Sequence, residues 1–288
     1  MTNTKILALL GQSVNYSYSP FIHNTACELL GLPFHYTVFN IPAQEQVKAA
    51  LDGARALGIA GFSVTIPYKK SVVPLLDELS PEAAAIKAVN TIVNNNGHLK
   101  GYNTDIAGFA APLMEHVASI RGESVAIFGG GGAALAAIDA LNRHIRPSRI
   151  LLVVRDTDRA ADDLRQCGYG SHAPLSIVPF GCRELVAECR LIVNATPLGT
   201  TGPHSNSCII AEDEQVLDAS QIVYDMVYNP VDTLLLQRAT KAGATTISGI
   251  DMLIGQAEEA FWLWTAHRLP VAEIRKKLLQ EIKHHPSN

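Results

Sequence analysis

Residues 125–141 read VAIFGGGGAALAAIDAL: an apolar run, four consecutive glycines, then an alanine-rich run. Glycine costs backbone entropy on folding, so four in a row mark a turn whose geometry other residues supply poorly. Gly129, Gly131 and Ala134 satisfy the spacing G-x-G-x-x-(G/A), directly after a strand-like stretch and at the opening of a helix-like one. In that context the first glycine makes the turn, the second lets the backbone approach a pyrophosphate, and the N–H groups of the helix start face its oxygens. The stretch predicts a dinucleotide-binding strand-turn-helix. The alternative is a glycine-rich loop or a tight strand-helix crossing that binds nothing.

Around this turn, apolar runs recur at SVAIFG, RILLVVR, RLIVNAT and QIVYDMVY, separated by helical stretches such as RAADDLRQCG and DTLLLQRATKAG. Continuous apolar runs of this kind belong to parallel strands covered on both faces. Before a helix expected around residues 105–119 lies a second alternating series. KILALLG reads as a buried strand, and SPFIHNTACELLGL as a helix capped by Ser19 and closed near Gly31. FHYTVFNI is a second strand, AQEQVKAALDGARALG an amphipathic helix ended by Gly58, and GFSVTIP a third strand stopped by Pro67. NTIVNNNGHLKGYNTD predicts a hairpin, because Asn96 and Gly97 favour the positive φ angles of a tight reversal. From Asp251 to Lys283 the pattern is helical, broken once at Pro270, and the final HHPSN reads as a frayed tail. The whole is an α/β protein.

At 288 residues the chain is longer than one hydrophobic core usually grows, which predicts two domains. Its formal net charge of −4 gives no attraction for a phosphate polyanion or an acidic membrane surface, so neither nucleic acid nor membrane is an expected partner. The five cysteines, Cys27, Cys167, Cys182, Cys189 and Cys208, are scattered without a CxxC pair and read as reduced thiols of a cytoplasmic protein. The ten histidines form no HxxxH or comparable pair, so no metal is expected. The opening apolar run has the length of a strand and no small-residue cleavage site after it, and no segment reaches the roughly 20 apolar residues of a membrane span.

Beyond the second strand of the dinucleotide unit comes VVRDTDRA, where a ribose would be read. Arg155 and Arg159 favour the 2′-phosphate of NADP, whereas Asp156 leaves NAD open, since an acidic residue there bonds a 2′-hydroxyl. Asp156 and Asp158 serve equally well as helix caps. Polar clusters stand at strand ends and turns elsewhere: YSYSP, SVTIPYK, AVNT, GYNTD, NATPLG and MVYNP. Oxidising an alcohol by hydride transfer needs a group that takes the hydroxyl proton, and Lys69 with a carboxylate such as Asp105 supplies one. Two other readings remain at this point: a lyase or dehydratase with Lys69 as a Schiff-base amine, and a dinucleotide sensor without chemistry.

The clusters, taken in order from Gly11 to about Arg268, resemble the shikimate dehydrogenase family, which takes in the quinate/shikimate dehydrogenases. SYSP resembles that family's SxSP, SVTIPYK its NVTxPxK, and GGGGAA its GAGGAA. AVNT and GYNTD match segments of those forms, NATPLG resembles NATPxG, and SGIDMLIGQA resembles GxxMLxxQA. Ser63 stands where asparagine is usual, Tyr16 where histidine commonly precedes SxSP, and VVRDTDR departs from the NRT of NADP-preferring members. The resemblance implies an N-terminal α/β substrate domain of residues 1–104 completed by 250–288, and a Rossmann-type, doubly wound NADP-binding domain of residues 105–249. It implies that Lys69 and Asp105 are the catalytic pair and that Ser17, Ser19 and Tyr228 hold a substrate carboxylate. Thr65, Asn90 and Gln256 would bind the ring hydroxyls and the catalytic pair. Gly129, Gly130, Gly131, Gly132 and Ala133 would hold the pyrophosphate, Arg155, Asp156 and Arg159 the adenosine ribose, and Thr196, Met226, Gly249 and Met252 the nicotinamide half. The implied reaction interconverts 3-dehydroshikimate and shikimate with NADP(H), in chorismate and aromatic amino acid biosynthesis. Quinate as substrate, NAD as second cofactor and a homodimer are left open.

Overall fold

A computed structural model describes residues 4–14, 17–166, 173–211 and 216–284. Tyr16, Cys167 and all of the C-terminal tail beyond His284 lie outside the described residues. The chain divides into two compact units: residues up to Thr104 together with those from Gln256 onward, and Asp105–Gly255.

The first unit carries a sheet of β1 (Lys5–Gly11), β2 (Phe34–Asn40), β3 (Gly61–Val64), β4 (Glu78–Leu79), β5 (Thr91–Asn95) and β6 (His98–Tyr102). Their order is β2-β1-β3-β5-β6-β4. β1 runs parallel to β2 and β3, while β5 is antiparallel to both β3 and β6. The β5–β6 reversal is the hairpin expected from Asn96 and Gly97, whose φ angles are 52° and 91°. Alternation along β1 explains its unbroken apolar run. Ala8 and Leu10 pack under α2 (Val47–Leu57) with Phe62 and Val64, and Leu7 and Leu9 face the other way, toward Tyr36, Ala260 and Trp264. α1 (Ser19–Leu30), α3 (Pro81–Ile86) and α11 (Val271–His284) complete this unit.

The second unit is a fully parallel sheet of β7 (Ser124–Phe128), β8 (Arg149–Val154), β9 (Leu175–Pro179), β10 (Leu191–Asn194), β11 (Ile222–Asp225) and β12 (Thr245–Ile247). Its order is β12-β11-β10-β7-β8-β9. The chain therefore winds outward from β7 one way and from β10 the other. Ligands of such sheets bind beyond the carboxyl ends of the strands at this reversal. α4 (Asp105–Ala110), α5 (Val117–Ile120), α6 (Gly132–Ala140), α7 (Thr157–Gln166), α8 (Arg183–Ala187) and α9 (Leu234–Lys241) belong to this unit. The division between the units falls within α10 (Gly249–Thr265).

Several local expectations are corrected. The helix cap is Tyr18, with Ser19 already helical; the Ser17 hydroxyl accepts from Ser19 N at 3.2 Å instead. β3 stops at Val64, because Thr65 to Tyr68 form a turn around Pro67, which has no N–H to continue the ladder. The helix expected over 105–119 is broken into α4, a 3₁₀ stretch over Ala111–His116 and α5, with Pro112 at the break. β4, β9 and β12, of two, five and three residues, have no counterpart among the strands expected from the sequence. Among the described residues Cys27, Cys182, Cys189 and Cys208 are free, and burial pushes the Cys27 and Cys189 thiols up to about 11. None of the described helices is long and apolar enough to cross a membrane.

Candidate active site

In the first unit, the segment after β3 is fixed on both sides. Thr65 N donates to Leu10 O at 3.0 Å and Tyr68 N to Thr65 O at 2.9 Å. Tyr68 is buried, with its hydroxyl donating to Ile41 O at 2.6 Å. Lys69 follows this anchor, and its own carbonyl accepts from Val89 N at 2.8 Å. The Lys69 backbone is thereby clipped to the chain just before Asn90, while Val64 N donates to Asn90 O at 2.7 Å. Gly11 is needed for this approach: a Cβ there would meet the Thr65 methyl at 2.6 Å.

Asn90, 4% exposed, is the junction. Its Oδ1 accepts from Thr104 N at 2.7 Å and from the Thr91 hydroxyl at 3.1 Å, and its Nδ2 donates to Thr104 Oγ1 at 3.0 Å. Asn103 Nδ2 donates to Ala88 O at 3.0 Å. Thr65, Lys69, Asn90 and Thr104 are thus brought together, and Asp105 is the residue after Thr104. Ser17 and Ser19 form a separate pair, with Ser17 Oγ donating to Ser19 Oγ at 3.1 Å. Gln256, half-buried, is the first α10 residue of this unit.

In the second unit, the glycine turn begins at Gly129, whose N donates to Val153 O at 2.9 Å. Its φ is 113°, and a Cβ on it would stand only 2.9 Å from Ala195 O; both demand glycine. A Cβ on Gly131 or Gly132 would meet nothing within 4 Å, so the turn is open above. α6 starts there with its first bond from Leu135 N to Gly131 O at 3.1 Å, leaving the N–H groups at the helix start without intrahelical acceptors. The open cradle, the helix N-terminus and two exposed arginines, Arg155 just after β8 and Arg159 in the first turn of α7, fit a phosphorylated dinucleotide. Asp156 Oδ1 accepts from Arg159 N at 3.0 Å, which is the capping role.

Beside the turn, the NATPLG segment at the end of β10 is tied to the end of β11 through Asp225, which the sequence pattern does not single out. Asn194 Nδ2 donates to Asp225 Oδ1 at 2.9 Å, and Asn194 Oδ1 accepts from the Thr196 hydroxyl at 2.7 Å. The fully buried Asp225 also accepts from Thr233 Oγ1 at 2.6 Å and Val227 N at 3.0 Å. Burial raises its carboxyl pKa against the pull of those donors. Met226 N donates to Asn194 O at 3.0 Å, and Gly249 lies against Met226, where a Cβ would meet Met226 O at 2.5 Å. Thr196, Met226 and Gly249 therefore share one end of this sheet with Gly129. Met252 is buried one turn into α10, and Tyr228 is half-buried beyond β11.

Over 98% of its length the chain is 59% identical to the shikimate dehydrogenase (NADP(+)) of Pelodictyon phaeoclathratiforme, 99% of which is covered. The chain belongs to the shikimate dehydrogenase family. Residues 9–92 match the shikimate dehydrogenase substrate binding domain, and residues 249–279 match the shikimate 5′-dehydrogenase C-terminal domain. The first match holds Ser17, Ser19, Thr65, Lys69 and Asn90, and the second holds Gly249, Met252 and Gln256. The fold is that of a shikimate dehydrogenase solved in complex with NADP+, with a TM-score of 0.88 at 32% identity over 97% of this chain and 96% of that one. The quinate dehydrogenase of Corynebacterium glutamicum, solved with NAD, superposes with a TM-score of 0.86 at 32% identity, covering 97% of this chain and 100% of that one.

Proposed function

We propose that the protein is an NADP-dependent shikimate dehydrogenase, reducing 3-dehydroshikimate reversibly to shikimate. The observation that carries this reading is the Val89–Asn90 segment, where Val89 N clips the Lys69 carbonyl and the Asn90 side chain holds Thr104. In the reduction, the Lys69 ammonium gives its proton to the carbonyl oxygen that becomes the new hydroxyl; in the oxidation it takes that proton back. Asp105 orients the ammonium. NADPH, when bound, supplies the hydride.

The remaining residues bind and orient. Ser17 and Ser19, with Tyr228, hold the substrate carboxylate, and Thr65, Asn90 and Gln256 hold the ring hydroxyls, so that the reacting carbon is presented in one orientation. The first unit serves as the substrate domain and the second as the NADP domain. Gly129 to Ala133 receive the pyrophosphate. With Asp156 capping α7, Arg155 and Arg159 are the groups available to a 2′-phosphate, which supports NADP over NAD. Met226, Gly249, Met252 and Thr196 line the nicotinamide half.

Adding shikimate and NADP+ to the purified protein is expected to raise absorbance at the reduced-nicotinamide band. No change with shikimate or quinate, with either NADP+ or NAD+, would overturn the reading. A preference for quinate would move it to the quinate dehydrogenase side.

A further inference from the structure

Tyr36 is 1% exposed, and its hydroxyl has no hydrogen-bond partner among the described residues. A buried phenol left unpaired carries a desolvation cost that native structures ordinarily avoid. The backbone around it is fully satisfied: Tyr36 N donates to Asn24 Oδ1 at 2.8 Å and Asn24 Nδ2 to Tyr36 O at 2.9 Å, which ties the middle of β2 to α1. The ring is also fixed. His23 stacks on it with centroids 4.6 Å apart, and Trp264 lies 6.0 Å away. The hydroxyl cannot swing out to water without dismantling this stack.

Two buried serines lie on the faces that enclose this ring. Ser19 is one helical turn before His23 on α1, hence on the face that covers the Tyr36 ring. Ser63 is on the same sheet face: Tyr36 pairs with Leu7 and Leu7 with Gly61, two residues before Ser63 on β3. Burial raises the phenol pKa, and the Ser63 and Ser19 hydroxyls act against it. Ser19 is 7% and Ser63 8% exposed. The Tyr36, Ser63 and Ser19 hydroxyls thus share one buried region, and Ser17 is paired to Ser19 at its edge.

We infer that Tyr36 is a positioning residue for substrate binding, its hydroxyl held in reserve to donate to Ser19 Oγ when a ligand carboxylate is bound. In the ligand-free protein Ser19 Oγ accepts from the Ser17 hydroxyl at 3.1 Å. A carboxylate draws both serine protons to itself, because charge-assisted bonds are the stronger. Ser19 Oγ then loses the Ser17 donation, and the Tyr36 O–H replaces it. In the complex the phenol gains Ser19 Oγ as a full hydrogen-bond acceptor, and it makes Ser19 a better donor there. This rests on the assignment of Ser17 and Ser19 to the substrate carboxylate.

The test is shikimate binding by calorimetry, which does not depend on turnover. Tyr36→Phe removes one oxygen and keeps the ring stack. It is expected to weaken shikimate about tenfold, to leave NADP+ affinity within twofold, and to leave the melting temperature unchanged or higher. On a Ser19→Ala background the same change is expected to cost less than twofold, since the acceptor is gone. A Tyr36→Phe protein that binds shikimate as tightly as the unmutated one, or that loses the same factor with and without Ser19, overturns the inference. So does an equal loss for a shikimate analogue lacking the carboxylate. If the unmutated protein binds shikimate but transfers no hydride, the dehydrogenase reading falls while the Tyr36 comparison stands on its own.

Discussion

The Asn90 side chain holds Thr104 from both ends of its amide, accepting from Thr104 N at 2.7 Å and donating to Thr104 Oγ1 at 3.0 Å. Thr104 is 2% exposed, so removing the amide strands the Thr104 N–H away from water and leaves Thr104 Oγ1 only the Thr91 hydroxyl at 3.2 Å. Asn90→Ala is therefore expected to cost about 2 to 3 kcal/mol of stability in urea unfolding. Because Asp105 follows Thr104, kcat is expected to fall roughly 100-fold as the carboxylate loses its place. Stability loss with unchanged kcat would show that the junction supports the fold and not the chemistry.

Lys69→Ala removes the proposed proton carrier while leaving the segment's backbone bonds in place. Loss of general acid-base catalysis is worth about 10²- to 10⁴-fold. The loss is expected in kcat, with the shikimate KM within about threefold of the unmutated value, because the missing interaction belongs to the transition state. A rise in KM with kcat preserved would make Lys69 a binding group.

The glycine turn separates folding from cofactor binding. Gly129→Ala forces a Cβ to within 2.9 Å of Ala195 O at a φ of 113°, and is expected to cost about 1 to 3 kcal/mol in a thermal melt. Gly131→Ala meets nothing within 4 Å and sits at a backbone conformation any residue adopts, so its stability should stay within about 0.5 kcal/mol. Its NADP+ KM should nonetheless rise about tenfold, since the methyl occupies the space over the helix start where a pyrophosphate belongs. An unchanged NADP+ KM would remove the cofactor from this turn.

Arg155→Ala and Arg159→Ala are each expected to raise the NADP+ KM roughly tenfold or more, as charge-assisted hydrogen bonds are worth about 1.5 to 3 kcal/mol. NAD+, which has no 2′-phosphate, should change less than twofold. Steady-state kinetics with both cofactors decides it: equal losses would mean that the arginines act on the shared pyrophosphate or on the fold.

The sequence was most legible where one physical cause dominated. Unbroken apolar runs marked the central parallel strands because both faces of each sheet are covered, and Asn96 with Gly97 marked the hairpin because few other pairs accept positive φ twice. Pro112 and Pro67 were visible as breakers, but the length of chain they disturb depends on tertiary pairing. β12 has only three residues and takes its stability from β11, so its own residues carry little signal. The same holds for Asp225 and Asn194. Each reads as a polar residue at a strand end, and their mutual 2.9 Å bond arises only when β10 and β11 lie side by side. Tyr36 was invisible as anything but a strand aromatic, since the unpaired state of its hydroxyl depends on three separate elements.

His23 sets an acid limit on stability. Its ring is buried among Tyr36, Phe261 and Trp264, and neither ring nitrogen has a hydrogen-bond partner among the described residues. Burial lowers its pKa to about 3, from an ordinary 6.5. The folded protein keeps this ring neutral while the unfolded chain protonates it below pH 6.5, so the unfolded state binds the extra proton and stability falls as pH drops from about 6.5 toward 3. Between pH 7 and 4.5 the contribution lost is about 2 to 3 kcal/mol. Asp77 and Asp218, whose pKa values are lowered by the Arg55 and Ser220 hydrogen bonds, also weaken the fold in acid. The informative quantity is therefore a difference between proteins. His23→Phe keeps an aromatic ring in the stack and removes the titration, so its urea stability should decline less than that of the unmutated protein over this range, by about the same 2 to 3 kcal/mol. Parallel pH profiles for the two proteins would mean that the folded state admits a proton or water to this ring.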